Sequence, residues 1–405
     1  MMKKLRTVNL EYAMVQGFYW AGFCGIVSYA AVYLQDRGYS NTQLGRILAF
    51  GYILGFLLPQ LLAGWIDRSE KITVYRCQWV LLALQVGLVL TLGRLGGKSP
   101  VVSLLSCVLI GTEITLNPMN TEISADLELR LGHINYGAAR GTGSIAFAPI
   151  SMLLGRLLES FGMRVLPAVF LFFIGLQAMA LLILCYSIRG TQQDPAAQVR
   201  KSSASTFLQF FRENGRFFGL LPGIALLFFS HNLVNNYLIN VVRNVGGDTS
   251  DMGLLSGYTA VMEIPMMFLY DRLLRRISCP ATVRLASSMF VLKALALALA
   301  PSMTALFAAN ALQMVSFAMI TPAMVEYVNR TIDHKDSAKG QALAFGMVTL
   351  GNVLSSAVGG HLYDALPVRI VLLAGGVSAF AGAALCHGFT RETRNTYDPQ
   401  PEKVQ

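Results

Sequence analysis

The sequence predicts an all-α membrane protein of twelve transmembrane helices arranged in two six-helix, pseudo-symmetric halves. Three observations predict it. Of 405 residues, 54% are hydrophobic and 13% charged, with a mean hydropathy of +0.53, whereas a soluble chain carries about 25% charged residues. Apolar runs recur at about the 20 residues that a helix needs to cross hydrocarbon. Landmarks of the first half also return in the second at a near-constant offset.

In order, the runs cover residues 14–34, 44–66, 74–92, 101–119, 134–158 and 165–188, then 217–242, 252–269, 283–300, 304–327, 342–362 and 368–389. They are too long and too continuous to be strands of a closed barrel. With the N-terminus placed in the cytoplasm, the tails and even-numbered loops hold roughly 22 of the 32 Lys and Arg residues and the outward loops about 8. Both termini are therefore expected in the cytoplasm, and the chain in a cell (inner or plasma) membrane. The net charge of +10 is topological and gives no reason to expect a nucleic-acid partner. No short apolar region with a small-residue cleavage site follows the basic N-terminus, so the first helix is expected to be retained. The six cysteines are scattered, without a CxxC or a Cys/His cluster. They read as packing residues, and no metal or cofactor is expected.

The most polar stretch, Arg189 to Ser205, divides the chain. The expected units are a bundle over 1–188, a cytoplasmic linker over 189–216, a second bundle over 217–389 and a tail over 390–405. Within the linker Phe207, Phe210, Phe211 and Phe217 fall along one face, as in a helix lying on a membrane surface. Asp67 and Asp271 are 204 residues apart; Gly137 and Gly143 recur 203 residues later as Gly340 and Gly346; Pro100 and Pro301 differ by 201. Duplicated halves are a common plan for secondary transporters, with the substrate site between the repeats near the midplane.

The segments "GWIDRSEKI" and "FLYDRLLRR" resemble the loop motif of the major facilitator superfamily. Ala63 stands where the motif's first glycine is usual, and Glu70 and Leu274 replace its second. The resemblance implies that Asp67 and Asp271 accept from a neighbouring helix end while Arg68 and Arg272 hold ion pairs, a latch for the outward-facing state. The same charges would also serve topology alone.

A charge at a helix centre costs about 2.5–3.5 kcal/mol on insertion scales, so isolated ones are candidates for function. They are Glu113, Glu122, Arg140, His231, Glu263, Lys293 and Glu326. In "NYGAARGTGSIAFAPIS", Arg140, Ser144, Phe147 and Ser151 share one helical stripe, which suits a hydroxylated or ring-bearing ligand. This segment resembles the lactose permease family, the oligosaccharide:proton symporters and nearby nucleoside and aromatic-acid permeases. The resemblance implies that Arg140 and Phe147 bind substrate, that Glu122 is the acidic partner of Arg140, and that Glu263 couples substrate to a proton. Lys293 takes the place of the family's basic residue in span nine. In span ten the family's titratable His and Glu are replaced by Gln313 and Ser316, which leaves Glu263 as the first candidate proton carrier, with Glu122, Glu113, Glu326 and His231 behind it.

Amides crowd span seven: His231, Asn232, Asn235, Asn236 and Asn240 form one polar face, which must meet a wet cavity or other helices. Gln16, Tyr19 and Phe23 share a face in span one, Asn310, Gln313 and Phe317 in span ten, and Thr349, Asn352 and Ser356 in span eleven. Glu263 shares a stripe with Ser256 and Thr259. Pro265 removes the helical partner of the Val261 carbonyl beside it, which predicts a weakened helix there.

The sequence thus predicts a monomeric carrier in a lipid bilayer that moves a small neutral solute, a sugar or nucleoside, by alternating access with a proton. An exporter of drugs or metabolites and an uncoupled facilitator of the same fold are the alternatives. The expected substrate-binding residues are Tyr19, Glu122, Arg140, Phe147, Asn235, Asn236 and Gln313, the coupling residues Glu263 and Lys293, and the gating residues Asp67, Arg68, Asp271 and Arg272. An enzyme is not expected, since there is no HExxH, P-loop or clustered catalytic arrangement.

Overall fold

The computed structural model describes residues 2–69, 71–132, 134–191 and 206–390, and no strand occurs among them. Residues 192–205 of the expected linker and 391–405 of the expected tail lie outside the described residues. Twelve helices are long and apolar enough to cross a membrane: spans one to six at Lys4–Asp36, Asn41–Ile66, Val74–Arg94, Pro100–Leu131, Tyr136–Phe161 and Met163–Ser187, and spans seven to twelve at Gly215–Asn235, Thr249–Tyr270, Cys279–Leu299, Met303–Thr331, Ser337–Ala365 and Val368–Phe389.

Local sequence sets the helix starts. Ser40 and Asp248 begin spans two and eight with reciprocal capping boxes, and Thr73, Ser99, Ser278 and Ser302 cap four others with a side-chain oxygen. Large apolar side chains such as Phe50, Phe172, Val377 and Phe380 point outward and stay exposed, as an apolar solvent requires.

The packing repeats six helices apart. Span one packs on spans five and six, and span seven packs on eleven and twelve. Spans two and eight pack on four and ten, and spans three and nine complete each bundle against four and six, and ten and twelve. The halves join through two pseudo-symmetric pairs, span two with eleven and span five with eight. Twelve crossings put both ends of the helical array on one face, called here the terminal face.

Three helices depart from the regular pattern. Span one contains a π turn at Cys24–Ser28. The span-seven helix stops at Asn235 and restarts as Leu238–Asn244, where one unbroken run is expected. Span ten breaks after Asn310 into a 3-10 turn, Ala311–Gln313, and resumes at Phe317. The Asn310 amide donates to the Leu306 carbonyl and the Ser316 hydroxyl to that of Leu312. Polar side chains that take backbone acceptors in this way loosen a helix. Span eight, expected to weaken at Pro265, instead runs unbroken from Thr249 to Leu274. The break lies across from Glu263, not beneath it.

The short helix Phe207–Glu213 precedes span seven. Phe207, Leu208 and Phe211 are exposed, while Phe210 and Phe217 are buried. The four phenylalanines therefore do not share one face: Phe210 anchors the helix and Phe207 and Phe211 point outward.

Candidate functional site

A cavity of about 440 Å³ lies between the halves. On the face away from the termini it is sealed by the two inter-half pairs. Between spans two and eleven the seal is both close-packed, with a Cβ on Gly45 or Gly360 falling 2.2 or 2.3 Å from the Ser356 or Asn41 carbonyl, and polar. Asp364 accepts from the backbone amides of Asn41 and Thr42 at 3.0 and 2.8 Å, and from the Asn41 side chain at 3.0 Å. Asn240 and Gln35 both donate to Asn41 Oδ1, and Tyr52 donates to Asn236 at 3.0 Å. Between spans five and eight the seal is close backbone packing. A Cβ on Gly253 would lie 2.5 Å from the Ser151 carbonyl and 2.9 Å from the Gly155 Cα. Tyr29 donates to the Ser151 carbonyl and Ser151 to that of Gly253. Toward the terminal face the lining residues Thr321, Val325, Gln341 and Phe345 are partly or well exposed, so the cavity opens there.

The first half contributes an aromatic and basic wall. Arg140 lies over the Trp20 ring with its guanidinium carbon 3.9 Å from the centroid and makes no ion pair among the described residues. Gly143 gives Trp20 its room, since a Cβ there would sit 2.3 Å from the indole. Phe23, Tyr52, Asn117, Ser144 and Phe147 complete this wall.

The second half contributes amides and an acid. Glu263 accepts from Gln313 Nε2 at 2.8 Å, and the Lys293 ammonium donates to Gln313 Oε1. Acid, amide and base thus form one chain, held at the break in span ten. Glu263 also lies within electrostatic reach of Arg140. His231 stacks on Phe317, centroids 4.7 Å apart, and its Nε2 pairs with the Asn235 amide at 2.7 Å.

Of the sequence-predicted residues, Arg140, Phe147, Asn235, Asn236, Gln313 and Glu263 converge on the cavity. Lys293 is buried behind it and reaches it through Gln313. Tyr19 does not line it: the ring is fully buried one residue behind Trp20, because a helix turns by about 100° per residue and the face belongs to Trp20 and Phe23. Glu122 is exposed and outside the lining, and no ion pair joins it to Arg140. Span four carries it beyond the cavity, past Pro118, toward the terminal face. Arg68 and Arg272 are exposed near the terminal face and make no ion pair among the described residues. The side chains of Asp67 and Asp271 lie outside the described residues.

Glu326 pairs with Arg330 at 2.6 Å and stays out of the site. Thr349 is half-buried outside the lining, whereas Asn352 lines the cavity. Sequence reasoning missed Tyr52 and Asn117. Asn117 carried a signal, an amide within an apolar run. Tyr52 did not, since tyrosines are scattered through the spans.

The MFS_1 like family model matches residues 10–373. An uncharacterized transporter of Bacillus subtilis, YwbF, is 23% identical over 399 residues, covering 96% of each chain. A probable 3-phenylpropionic acid transporter of Escherichia coli is 29% identical over 253 residues, 61% of this chain and 63% of that one. The maltose permease of Geobacillus stearothermophilus is 25% identical over 350 residues, 85% and 84% of the two chains. Among solved structures, the D323A mutant of the nucleoside transporter NupG superposes with a TM-score of 0.78 at 12% identity, over 95% of this chain and 100% of that one.

Proposed function

The chain belongs to the MFS_1 like family of major facilitator transporters, and from that premise we propose that it carries a small ring-bearing solute together with a proton by alternating access. The observation that carries this reading is the pairing of two unlike walls across one cavity: Arg140 on Trp20 in one half, and the Glu263–Gln313–Lys293 chain in the other. The guanidinium offers directional donors and the rings offer apolar platforms. A neutral sugar or nucleoside uses both, and the resemblance to a maltose permease supports the sugar. The Arg140 guanidinium, which makes no ion pair among the described residues, favours a second reading, a ring-bearing carboxylate, in line with the phenylpropionic acid relative.

Coupling belongs to Glu263. A carboxylate that faces Gln313 and Lys293 in one state and a solute in the other changes its proton affinity between them. Gln313 stands where the resembling family has a titratable residue, and it connects Lys293 to the acid without itself titrating. One proton crossing 100 mV releases about 2.3 kcal/mol, enough for roughly 50-fold accumulation.

The test is pH recording in a lightly buffered suspension of cells making the protein, with sugars, nucleosides and aromatic acids added in turn. Alkalinisation with one solute, lost in Glu263→Gln, is expected. Solute uptake without a pH change would make the chain an uncoupled facilitator. Flux unaffected by Arg140→Ala and Glu263→Gln together would remove both residues from the mechanism.

A further inference from the structure

A second polar cluster lies behind the cavity wall, inside the first six helices. Glu113 on span four is 1% exposed. Gln85 of span three donates to its Oε2 at 2.8 Å. Its Oε1 has no partner and faces Gly22 of span one, where a Cβ would lie 3.6 Å away. Gln85 Oε1 and the Tyr19 hydroxyl are also buried and unpartnered, and Tyr19 is within electrostatic reach of Glu113. Phe173 of span six flanks Gly22 at 3.9 Å. One turn along from it, Gln177 is buried with its Nε2 unpaired.

Buried polar groups are rarely left open, and such a group of them around one acid calls for an occupant. Among the described residues no Lys, Arg or His pairs with Glu113. Span two faces span four with Gly51 and Gly55 against Ile110 and Ile114. Spans three and six present amides. The titratable and charged groups nearby are Tyr19 and, beyond the Trp20 ring, Arg140. A bare carboxylate in such a place is costly, and a proton neutralises it. The open positions beside the acid mix a donor (Tyr19 Oη) with acceptors (Glu113 Oε1, Gln85 Oε1), the pattern that suits one internal water.

We propose that Glu113 is a second proton-binding site of this carrier, hydrated by an internal water between Gln85 and Tyr19. It rests on the reading that the chain couples transport to protons, and not on the identity of the solute. Oε1 takes a proton from hydronium delivered through that water and returns it the same way; no other bond changes. The site is separated from the cavity by the ring that carries Arg140. Tyr19 meets Trp20 edge-on at 5.2 Å, and the Arg140 guanidinium lies over the same indole. A solute that draws Arg140 off the ring therefore alters the wall of the Glu113 site.

The experiment is infrared difference spectroscopy of the purified full-length protein during a pH titration, with no solute present. Wild type is expected to show the carbonyl stretch of a protonated, apolar-environment carboxyl that disappears on alkalinisation. Glu113→Gln is expected to lose it and Glu263→Gln to keep it. Gln85→Leu, which keeps the acid, is expected to shift the band without removing it, which guards against misfolding of the first variant. A Glu113 band present at every pH would overturn the proposal in favour of a permanently neutral packing acid. A band abolished by sodium in place of potassium at constant pH would overturn it in favour of a metal-cation site. Because the readout needs no flux, a failure of Glu263 coupling would leave these outcomes unchanged.

Discussion

Replacing Asp364 by alanine tests the seal on the face away from the termini. Asp364, at the end of span eleven, caps the start of span two across the boundary between halves, with three hydrogen bonds of 2.8 to 3.0 Å. A carboxylate at a helix N-terminus contributes about 0.3–1 kcal/mol when exposed, and a lost cap typically costs about 1 kcal/mol. Asp364 is exposed, so salt screens the dipole part, and at low ionic strength the contact as a whole is worth about 1 kcal/mol. About 1 kcal/mol shifts a two-state equilibrium roughly fivefold. Paired spin labels at Gly38 and Gly246, in loops that meet this face from the two halves, would report the populations in lipid nanodiscs. Asp364→Ala is expected to raise the population open on this face about fivefold at low salt, and by less in high salt, which already weakens the wild-type contact. Unchanged populations at low salt would refute the assignment of this contact as a seal.

Three further outcomes follow from the site and its gate. Gly253→Val places methyl groups where the Ser151 carbonyl lies 2.5 Å from the Cβ; the cavity cannot seal, and cross-linking between spans five and eight should fail while membrane insertion stays normal. Gln313→Leu leaves Lys293 buried without its acceptor, an error worth about 3–5 kcal/mol, so the melting temperature in detergent should fall; Lys293→Met in the same chain should restore most of it. Arg140→Lys keeps the charge but loses the planar stack on Trp20 and the two-pronged donor. It should raise the half-saturating solute concentration tenfold or more, read from initial uptake rates.

The fold was legible because bilayer physics writes itself into composition. Apolar runs and charge asymmetry are long-range signals that survive ignorance of packing. The polar face of span seven was legible for the same reason: several amides in one apolar helix have few places to go. Other features depend on distances that a sequence does not carry. Whether Tyr19 or Trp20 faces the cavity is a matter of about 100° of rotation on one helix. Glu122 fits its expected partner by spacing alone, yet the long fourth span carries it past the cavity. Gln313 looked inert because it does not titrate, and its value lies in touching both Glu263 and Lys293. The break in span ten was written in Asn310 and Ser316, whereas the proline in span eight, the louder signal, left its helix intact.

The two pseudo-symmetric seams share one construction. Each has a glycine contact, Gly45 and Gly360 between spans two and eleven and Gly253 between spans five and eight, and each carries hydrogen bonds beside it, around Asp364 in one and from Ser151 to the Gly253 carbonyl in the other. Water can replace the hydrogen bonds one by one, but it enters a glycine contact only after the backbones have separated. Each seam is thus a zip with a clasp: the polar teeth loosen singly, and the halves part only when the clasp lets go.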